Sequence, residues 1–170
     1  MNEKETLQIE IATLEDEPIV NKILSASFSS LLTSKYDDTS VTTILPKVTK
    51  TNPTLLQSGT YYIAKNPDGR YLGCGGWTHE RPGTNERTAG LAHIRHFATH
   101  PNFIRRNVGK ALFNHCRDEA SKENVSVFEC YSTLNAEFFY KSLGFKTIRI
   151  FELDMGDGLM FPSVLMRADI

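Results

Sequence analysis

The stretch from His96 to Phe113, HFATHPNFIRRNVGKALF, constrains the fold more than any other part of the chain. It has the pattern of a strand end, a short basic turn and a helix that begins at or just after Asn107. The first N–H groups of a helix have no internal acceptors, and the helix dipole places partial positive charge there. Arg105 and Arg106 add two full charges to the same turn. The stretch therefore predicts an anion site, which we interpret as a site for a diphosphate.

Two further residues of this turn fit a backbone that binds phosphate. Gly109 has no Cβ, so a ligand could approach the backbone closely there. Asn107 tolerates the left-handed conformation that a nest of N–H groups often needs. The turn is not a P-loop, because no Gly-Lys-Ser/Thr follows a glycine-rich run, and it lacks the G-x-G-x-x-G of dinucleotide-binding folds. A strand-turn-helix junction that contains arginines and binds no ligand is the alternative.

Length and composition indicate one ordinary globular domain. The chain has 170 residues, of which 40% are hydrophobic and 23% are charged, and its formal net charge is -1. A chain of this length can bury one substantial core, so we expect a single domain over 1–170. The near-zero charge provides no general attraction to nucleic acid or anionic lipid, and no apolar run reaches the about 18 residues of a membrane span. We therefore expect neither a nucleic-acid partner nor a membrane partner.

The amino terminus and the cysteines predict a cytoplasmic protein. The first residues, MNEKETLQIEIA, are acidic and contain no signal-peptide core. Cys74, Cys116 and Cys130 are odd in number and have no C-x-x-C spacing, which argues against a disulfide framework and against a zinc site. Each cysteine lies in an apolar segment, so we expect buried, unreactive thiols and no metal.

Hydrophobic periodicity predicts an α/β (α+β) fold. Thr13 and Asp16 form a capping-box pattern that places the start of the first helix nearby, and a second, weaker helix is interrupted at Pro46. The order of elements predicts a mixed, mostly antiparallel central sheet of about six to seven strands, flanked by about four helices. The predicted strands are 7–11, 60–65, 70–78, 91–99, 125–131, 145–153 and 162–168. The predicted helices are one that begins near 13–16 and carries an apolar face over 20–31, one over 39–50, one from 107 and one over 134–143.

The hairpin between residues 60 and 79 contains an unusual set of glycines. Asn66-Pro67-Asp68-Gly69 is a strong turn signal between its two strands. Gly73, Gly75 and Gly76 then lie inside the second strand, where glycine is rare. They predict a bulge or a close backbone neighbour.

Two segments of the chain resemble the GNAT superfamily of acyl-CoA-dependent N-acyltransferases. FATHPNFIRRNVGKALFNHC resembles that family's acyl-CoA-binding segment, in which a splayed central strand passes through an Arg/Gln-x-x-Gly-x-Gly/Ala loop into a helix. STLNAEFFYKSLGF resembles its next segment, in which Asn-Ala precedes Phe-Tyr and then Leu-Gly-Phe. The opening IEIATLEDEPIVNKIL and the closing VLMRADI resemble the ends of such domains, so the resemblance spans nearly the whole chain.

The loop departs from the family pattern at two positions. Ile104 stands where Arg or Gln is usual, and Asn107 stands where the first Gly is usual, whereas Gly109 matches the last Gly. An alternative alignment, in which residues 106–111 match the Arg/Gln-x-x-Gly-x-Gly/Ala pattern, satisfies that pattern but begins the helix later in the sequence. We prefer the first register, because the two arginines of the loop then supply the positive charge.

The resemblance implies acetyl-CoA as the acyl donor, held at two places. The diphosphate would bind the N–H groups of the loop, and the pantetheine amides would pair with the open edge of the central strand. That edge can also polarise the thioester carbonyl. Asn135 either contacts the pantetheine arm or caps its helix. The implied cofactor-binding residues are Phe97, Ala98 and Thr99 on the strand, Arg105, Arg106, Asn107, Val108, Gly109 and Lys110 on the loop, and Asn135.

The resemblance also implies that the acceptor amine attacks acetyl-CoA directly in a ternary complex. Tyr140 matches the family's general acid, which protonates the leaving thiolate, and its alternative role is packing within the FFY sequence. The base that deprotonates the acceptor is left open, and a chain of water molecules could replace it. The candidate bases are His79, Glu80, His93, His96 and Glu129.

The sequence thus predicts an acetyl-CoA-dependent N-acetyltransferase whose acceptor is an unidentified amine. Small amines, antibiotics, peptide N-termini and protein lysines all remain open as acceptors, as does assembly into a homodimer. One rival is a catalytically silent CoA-binding sensor or regulatory domain of the same fold. A second rival is a protein of another fold that binds a nucleotide diphosphate and prefers ATP or NAD.

Overall fold

The computed structural model describes residues 6–170, which contain seven strands and five α-helices. The strands are β1 (Gln8–Ile11), β2 (Tyr61–Lys65), β3 (Tyr71–Thr78), β4 (Leu91–Thr99), β5 (Val127–Thr133), β6 (Lys146–Asp154) and β7 (Met160–Asp169). The helices are α1 (Glu17–Leu31), α2 (Asp38–Val48), α3 (Pro53–Leu56), α4 (Val108–Lys122) and α5 (Glu137–Ser142).

All seven strands form one sheet in the order β1-β2-β3-β4-β5-β7-β6. Neighbouring strands are antiparallel except β4 and β5, which run parallel. A parallel pair needs a crossover connection, and α4 provides it. The predicted mixed, mostly antiparallel sheet is confirmed. The single-turn helix α3 accounts for the difference from the predicted number of helices.

The sheet separates two hydrophobic layers. On the face covered by α4 and α5, the core includes Trp77 and Phe128. On the face covered by α1, α2 and α3, it includes Leu24 and Tyr61, with a smaller cluster around Phe161. Each large side chain that is fully buried stabilises the fold by about 1.5–3 kcal/mol, so these layers hold the sheet in position.

Local capping explains where the first two long helices begin. The Asp16 carboxylate accepts a hydrogen bond from the N–H of Thr13 at 2.8 Å. α1 starts at the next residue and has Pro18 in its first turn. Asp37 caps α2, because its carboxylate accepts a hydrogen bond from the N–H of Ser40 at 2.8 Å. The helix start predicted from Thr13 and Asp16 is confirmed.

The predicted interruption at Pro46 is wrong, because α2 runs through this residue. A proline inside a helix removes one N–H and crowds the preceding turn. Pro46 lies in the last turn of α2, where only Lys47 and Val48 follow it. The helix therefore loses one hydrogen bond near its end and does not break.

The predicted bounds of β5 are displaced toward the N-terminus. The N–H of Val125 donates to the carbonyl of Ala120 at 3.1 Å, so Val125 belongs to the turn that follows α4 rather than to the strand. β5 instead continues to Thr133, which lies opposite Ser163 of β7. Tertiary pairing with β7 thus extends the strand past its apolar run.

Candidate active site

β4 and β5 are hydrogen-bonded only over their first residues, where 91–93 pair with 127–129. Beyond these pairs, β4 keeps β3 as its partner on one side, and β5 keeps β7 on its other side. The facing edges of the two strands are therefore open. The predicted edge at Phe97, Ala98 and Thr99 lies on this open stretch of β4.

A bulge in β4 lies at this opening. The register between β3 and β4 shifts between Cys74 and Gly76, where β4 uses one more residue than β3. Within this stretch His96 has a left-handed φ of 52°. The extra residue reverses the alternation of side chains along the strand. Ile94 therefore packs in the layer of α4, whereas Ala98 packs in the layer of α1.

Two of the three glycines of β3 are explained by close neighbours on β4. A Cβ on Gly75 would lie 2.5 Å from the ring of Phe97. A Cβ on Gly73 would lie 2.9 Å from the carbonyl oxygen of Ala98. The close backbone neighbour is confirmed at Gly73, the extra residue of the bulge lies opposite these glycines on β4, and the missing side chain of Gly75 leaves room for Phe97.

A cavity of about 160 Å³ lies where β4 and β5 separate. Its lining comes from both layers of the core, with Phe97 and Tyr140 from one and Phe28 and Phe161 from the other. Since one water takes about 30 Å³ in the liquid, the cavity has room for about five waters. It therefore suits the reacting end of a ligand and not a whole cofactor.

Tyr140 is 7% exposed and forms part of the cavity wall. Its ring packs against Phe139 and Phe145, with ring centroids 5.1 Å and 5.4 Å away. Its hydroxyl has no hydrogen-bond partner within residues 6–170. Burial raises the pKa of Tyr140 well above its ordinary value of 10.0, so the hydroxyl is protonated at neutral pH. The ring is engaged in packing while the hydroxyl is available as a proton donor.

The loop after β4 has the backbone geometry of an anion site. Arg105 and Asn107 are left-handed, with φ of 61° and 62°, and α4 begins at Val108 as predicted. Within the described chain, the N–H groups of residues 105–110 donate to no carbonyl oxygen. Arg105 and Arg106 are exposed beside these donors. A run of free N–H groups next to two cations is an arrangement that binds phosphate.

Two loop residues also serve packing. Val108 is 1% exposed, so only its N–H could contact a cofactor. The space beside Gly109 is already filled, because a Cβ there would lie 2.8 Å from the ring of Phe139. Phe139 therefore occupies the side of Gly109 where a Cβ would lie, and approach of a ligand to its N–H stays a prediction. The glycine lets α5 pack against the start of α4.

Asn135 lies in a short 3-10 turn between β5 and α5. Thr133 precedes this turn as its N-cap and Ala136 precedes α5, so Asn135 caps neither. The Oδ1 atom of Asn135 is buried and has no hydrogen-bond partner among the described residues. Leaving a buried acceptor unpaired costs about 1–3 kcal/mol. The geometry thus favours ligand binding over capping for Asn135.

His96 is the candidate base that lines the cavity with Tyr140. Its Nε2 lies 2.7 Å from the carbonyl oxygen of Val48, which can only accept, so Nε2 carries the proton. Burial lowers the pKa of His96, so the imidazole is neutral at pH 7. Its Nδ1 is therefore unprotonated and able to accept a proton.

His93 and Glu129 form a buried cluster where β4 and β5 begin to separate. Glu129 is 2% exposed and accepts a hydrogen bond from Nη2 of Arg167 at 2.6 Å. Nδ1 of His93 lies 3.8 Å from the other carboxylate oxygen. Burial lowers the pKa of His93 in spite of this carboxylate. These residues stabilise the junction of three strands and do not line the cavity.

The remaining candidate bases, His79 and Glu80, lie in a separate groove. Sequence reasoning also missed the residues that close the cavity from the layer of α1 and α2, such as Phe28 and Val48. The apolar spacing of the first helix marks Phe28 as core, and the segment that contains Val48 reads as a structural connection or as a wall of a substrate site. Which core residues border a cavity depends on packing, so no sequence signal distinguished them.

The three cysteines are free and buried as predicted, and burial raises the pKa of Cys74 to about 12. Across residues 6–170, no cluster of His, Cys, Asp and Glu has the arrangement of a metal site. Within the same residues, none of the helices is both long and apolar enough to cross a membrane.

Comparison with known proteins identifies a family model that matches most of the chain. The model describes an acetyltransferase (GNAT) domain and matches residues 32–159. A search among curated protein sequences finds no match.

Solved structures share the fold at low sequence identity. A GCN5-related N-acetyltransferase from Rhodopseudomonas palustris is 16% identical with a TM-score of 0.74, over 98% of this chain and 96% of that chain. PaiA N-acetyltransferase from Thermoplasma acidophilum, in complex with coenzyme A, is 16% identical with a TM-score of 0.71, over 97% and 99%. The ribosomal-protein-S18-alanine N-acetyltransferase from Escherichia coli is 16% identical with a TM-score of 0.62, over 97% and 94%.

Proposed function

Because the chain belongs to the GNAT acetyltransferase family, we propose that it transfers an acetyl group from acetyl-CoA to the amine of an acceptor, by direct attack in a ternary complex. The observation that carries this proposal is the separation of β4 from β5. It leaves a strand edge open between the loop at 105–110 and the cavity beside Tyr140. The coenzyme A complex of the PaiA enzyme, which has a similar fold, supports the choice of donor.

The donor would bind along this path. The free N–H groups of residues 105–110 and the two arginine side chains would hold the diphosphate. The open edge of β4 at Phe97, Ala98 and Thr99 would pair with the pantetheine amides. The unpaired Oδ1 of Asn135 would accept a hydrogen bond from one of those amides.

The reaction forms a bond between the acceptor nitrogen and the acetyl carbon, and breaks the bond between that carbon and sulfur. The thiolate that leaves takes a proton from the Tyr140 hydroxyl, which burial keeps protonated, and the tyrosinate regains a proton from solvent before the next turnover. The acceptor nitrogen must lose a proton. Among the five candidate bases, His96 lies on the cavity wall, and its neutral imidazole can accept that proton.

A catalytically silent CoA-binding sensor of the same fold is the second candidate. It would keep the loop and the open strand edge and would show no turnover. The buried, unbonded hydroxyl of Tyr140 favours the enzyme, because a sensor has no use for a proton donor in the cavity. The rival of another fold is wrong, because the sheet and helices match acetyltransferase structures.

Calorimetric titration with acetyl-CoA, with ATP as the control ligand, tests the binding half of the proposal. We expect selective binding of acetyl-CoA, and Arg106→Glu should weaken it about 10- to 100-fold, because a charge-assisted hydrogen bond contributes about 1.5–3 kcal/mol. Arg149→Glu is the matched control, since Arg149 is an exposed arginine on β6. Unchanged affinity in Arg106→Glu would remove the loop from the proposed donor site.

Release of free CoA thiol in the presence of a panel of amines tests the catalytic half. Turnover with any amine supports the enzyme, whereas tight acetyl-CoA binding without turnover supports the sensor. A cytoplasmic location, a small-molecule or peptide acceptor, the absence of nucleic-acid and membrane partners, and assembly into a homodimer stay predictions.

A further inference from the structure

A second, larger cavity of about 830 Å³ lies outside the separation of β4 and β5. It is a polar groove between the segment 52–60, the loop 79–87 and the adjoining parts of β3 and β4. It has no lining residue in common with the smaller cavity. Sites for small molecules commonly measure about 300–1,000 Å³, so the groove is large enough for a ligand of that class.

Arg95 of β4 is a half-buried cation in this groove. Its Nη1 donates to Oγ1 of Thr78 at 3.0 Å, and no carboxylate of the described chain forms an ion pair with it. The other two arginines that line the groove, Arg81 and Arg87, are each paired with a glutamate at 3.3 Å and 3.1 Å. Arg95 therefore differs from its neighbours in forming no direct ion pair, although the carboxylate of Glu80, which is bonded to Arg87, also acts on its charge from a distance.

A partly desolvated guanidinium that no carboxylate contacts directly is unfavourable. Burial lowers the pKa of Arg95, yet a guanidinium remains protonated at neutral pH. Its planar fork of five N–H donors matches a carboxylate, and Thr78 uses only part of that fork. Elsewhere within residues 6–170, the arginines that lack a carboxylate partner are exposed, so water solvates their charge. These are Arg70, Arg105, Arg106 and Arg149.

We propose that this groove binds a small molecule that carries a carboxylate, and that Arg95 receives that carboxylate. The other polar side chains of the groove supply donors and acceptors for the rest of such a ligand. They include the amides of Asn52, Gln57 and Asn85 and the hydroxyl of Thr60.

The position of Arg95 favours the acceptor as the molecule that brings the carboxylate. Arg95 precedes His96, which lines the smaller cavity, and neighbouring Cα atoms lie about 3.8 Å apart. The backbone of β4 therefore joins the groove at Arg95 directly to the wall of the smaller cavity at His96. This acceptor role rests on the proposed function, whereas binding of a carboxylate in the groove does not.

The first measurement is calorimetric titration with a series of carboxylates from acetate to glutarate, each paired with the neutral amide of the same length. We expect carboxylates to bind and the amides not to bind. Arg95→Gln should weaken carboxylate binding at least about tenfold, because it removes a charge-assisted pair of hydrogen bonds. Arg95→Lys keeps the charge without the fork and should give an intermediate affinity.

Arg149→Gln, which makes the same change of charge outside the groove, should bind carboxylates like the wild type. Thermal unfolding of each variant verifies that it is folded. Equal affinity of the wild type and both Arg95 variants for every carboxylate would overturn the proposal, as would equal binding of carboxylates and amides.

The second measurement identifies the source of the carboxylate. It compares acetyl transfer to amino acids with transfer to the corresponding amino acid amides. If the acceptor carries the carboxylate, Arg95→Gln raises KM at least about tenfold for the acids and leaves KM for the amides unchanged. If carboxylates bind and alter the rate of acetyl transfer without being acetylated, the groove is a regulatory site that recognises a carboxylate through Arg95. Failure of every amine as acceptor would count against the proposed function, while the calorimetric series would still test the groove.

Discussion

Replacing Tyr140 with phenylalanine separates the function of its hydroxyl from the packing of its ring. The ring contacts with Phe139 and Phe145 are retained in Tyr140→Phe. The hydroxyl has no hydrogen-bond partner in the part of the chain that the structure describes, so its removal leaves no internal group unpaired. We therefore expect the free energy of unfolding to change by less than about 0.5 kcal/mol.

The effect on turnover should be far larger. A positioned general acid typically contributes about 10²–10⁴-fold, which corresponds to about 2.7–5.5 kcal/mol of activation free energy. We expect kcat to fall within that range while the affinity for acetyl-CoA changes less than about twofold. Because burial raises the pKa of Tyr140 well above 10.0, its hydroxyl stays protonated in alkaline solution up to at least pH 10.0. Ionisation of Tyr140 should therefore not lower wild-type turnover at any pH below 10.0.

The assay is release of CoA thiol with the amine that the panel identifies, combined with acetyl-CoA calorimetry and urea unfolding. Tyr62→Phe is the matched control, because Tyr62 is a buried tyrosine that lines neither cavity. Its turnover should equal that of the wild type. Wild-type turnover in Tyr140→Phe would refute the acid role and leave Tyr140 as a packing residue.

Two further predictions concern packing and pH. Gly109→Ala places a methyl group 2.8 Å from the ring of Phe139, so we expect a loss of about 1–3 kcal/mol in urea unfolding, partly recovered by adding Phe139→Leu. Unchanged stability of the single variant would contradict the contact. Burial lowers the pKa of His93 and of His96 below 6.5 in the folded chain. Below pH 6.5 the unfolded chain therefore binds more protons than the folded chain. The free energy of unfolding should be at its full value above pH 6.5 and should decline as the pH falls below it. Urea unfolding at about pH 7.5 and about pH 5.5 checks this, and His96→Gln, which can still donate to Val48, should reduce the decline. An equal decline in that variant would exclude His96 as a cause.

Prediction from sequence was most accurate where neighbours in the chain set the conformation. β4 has its predicted bounds, and α4 begins just after a left-handed Asn107. It was less accurate where a distant partner decided the outcome. β5 extends to Thr133 because β7 pairs with it, and the run of apolar residues could not show that partner. For the candidate site, the sequence predicts Tyr140 as the acid and the loop as the donor site, and both stay predictions, while the base was left open among five residues.

The sequence by itself determined the local conformations, which are the capped start of α1 and the strand-turn-helix at residues 96–113. These depend on backbone sterics and on hydrogen bonds between residues close in the chain. Only the tertiary structure decided that Phe139 fills the space beside Gly109, that His96 donates to Val48, and that Tyr140 borders a cavity open to both layers. These contacts join segments far apart in the chain and depend on strand register, because one extra residue in β4 reverses the side chains that follow it.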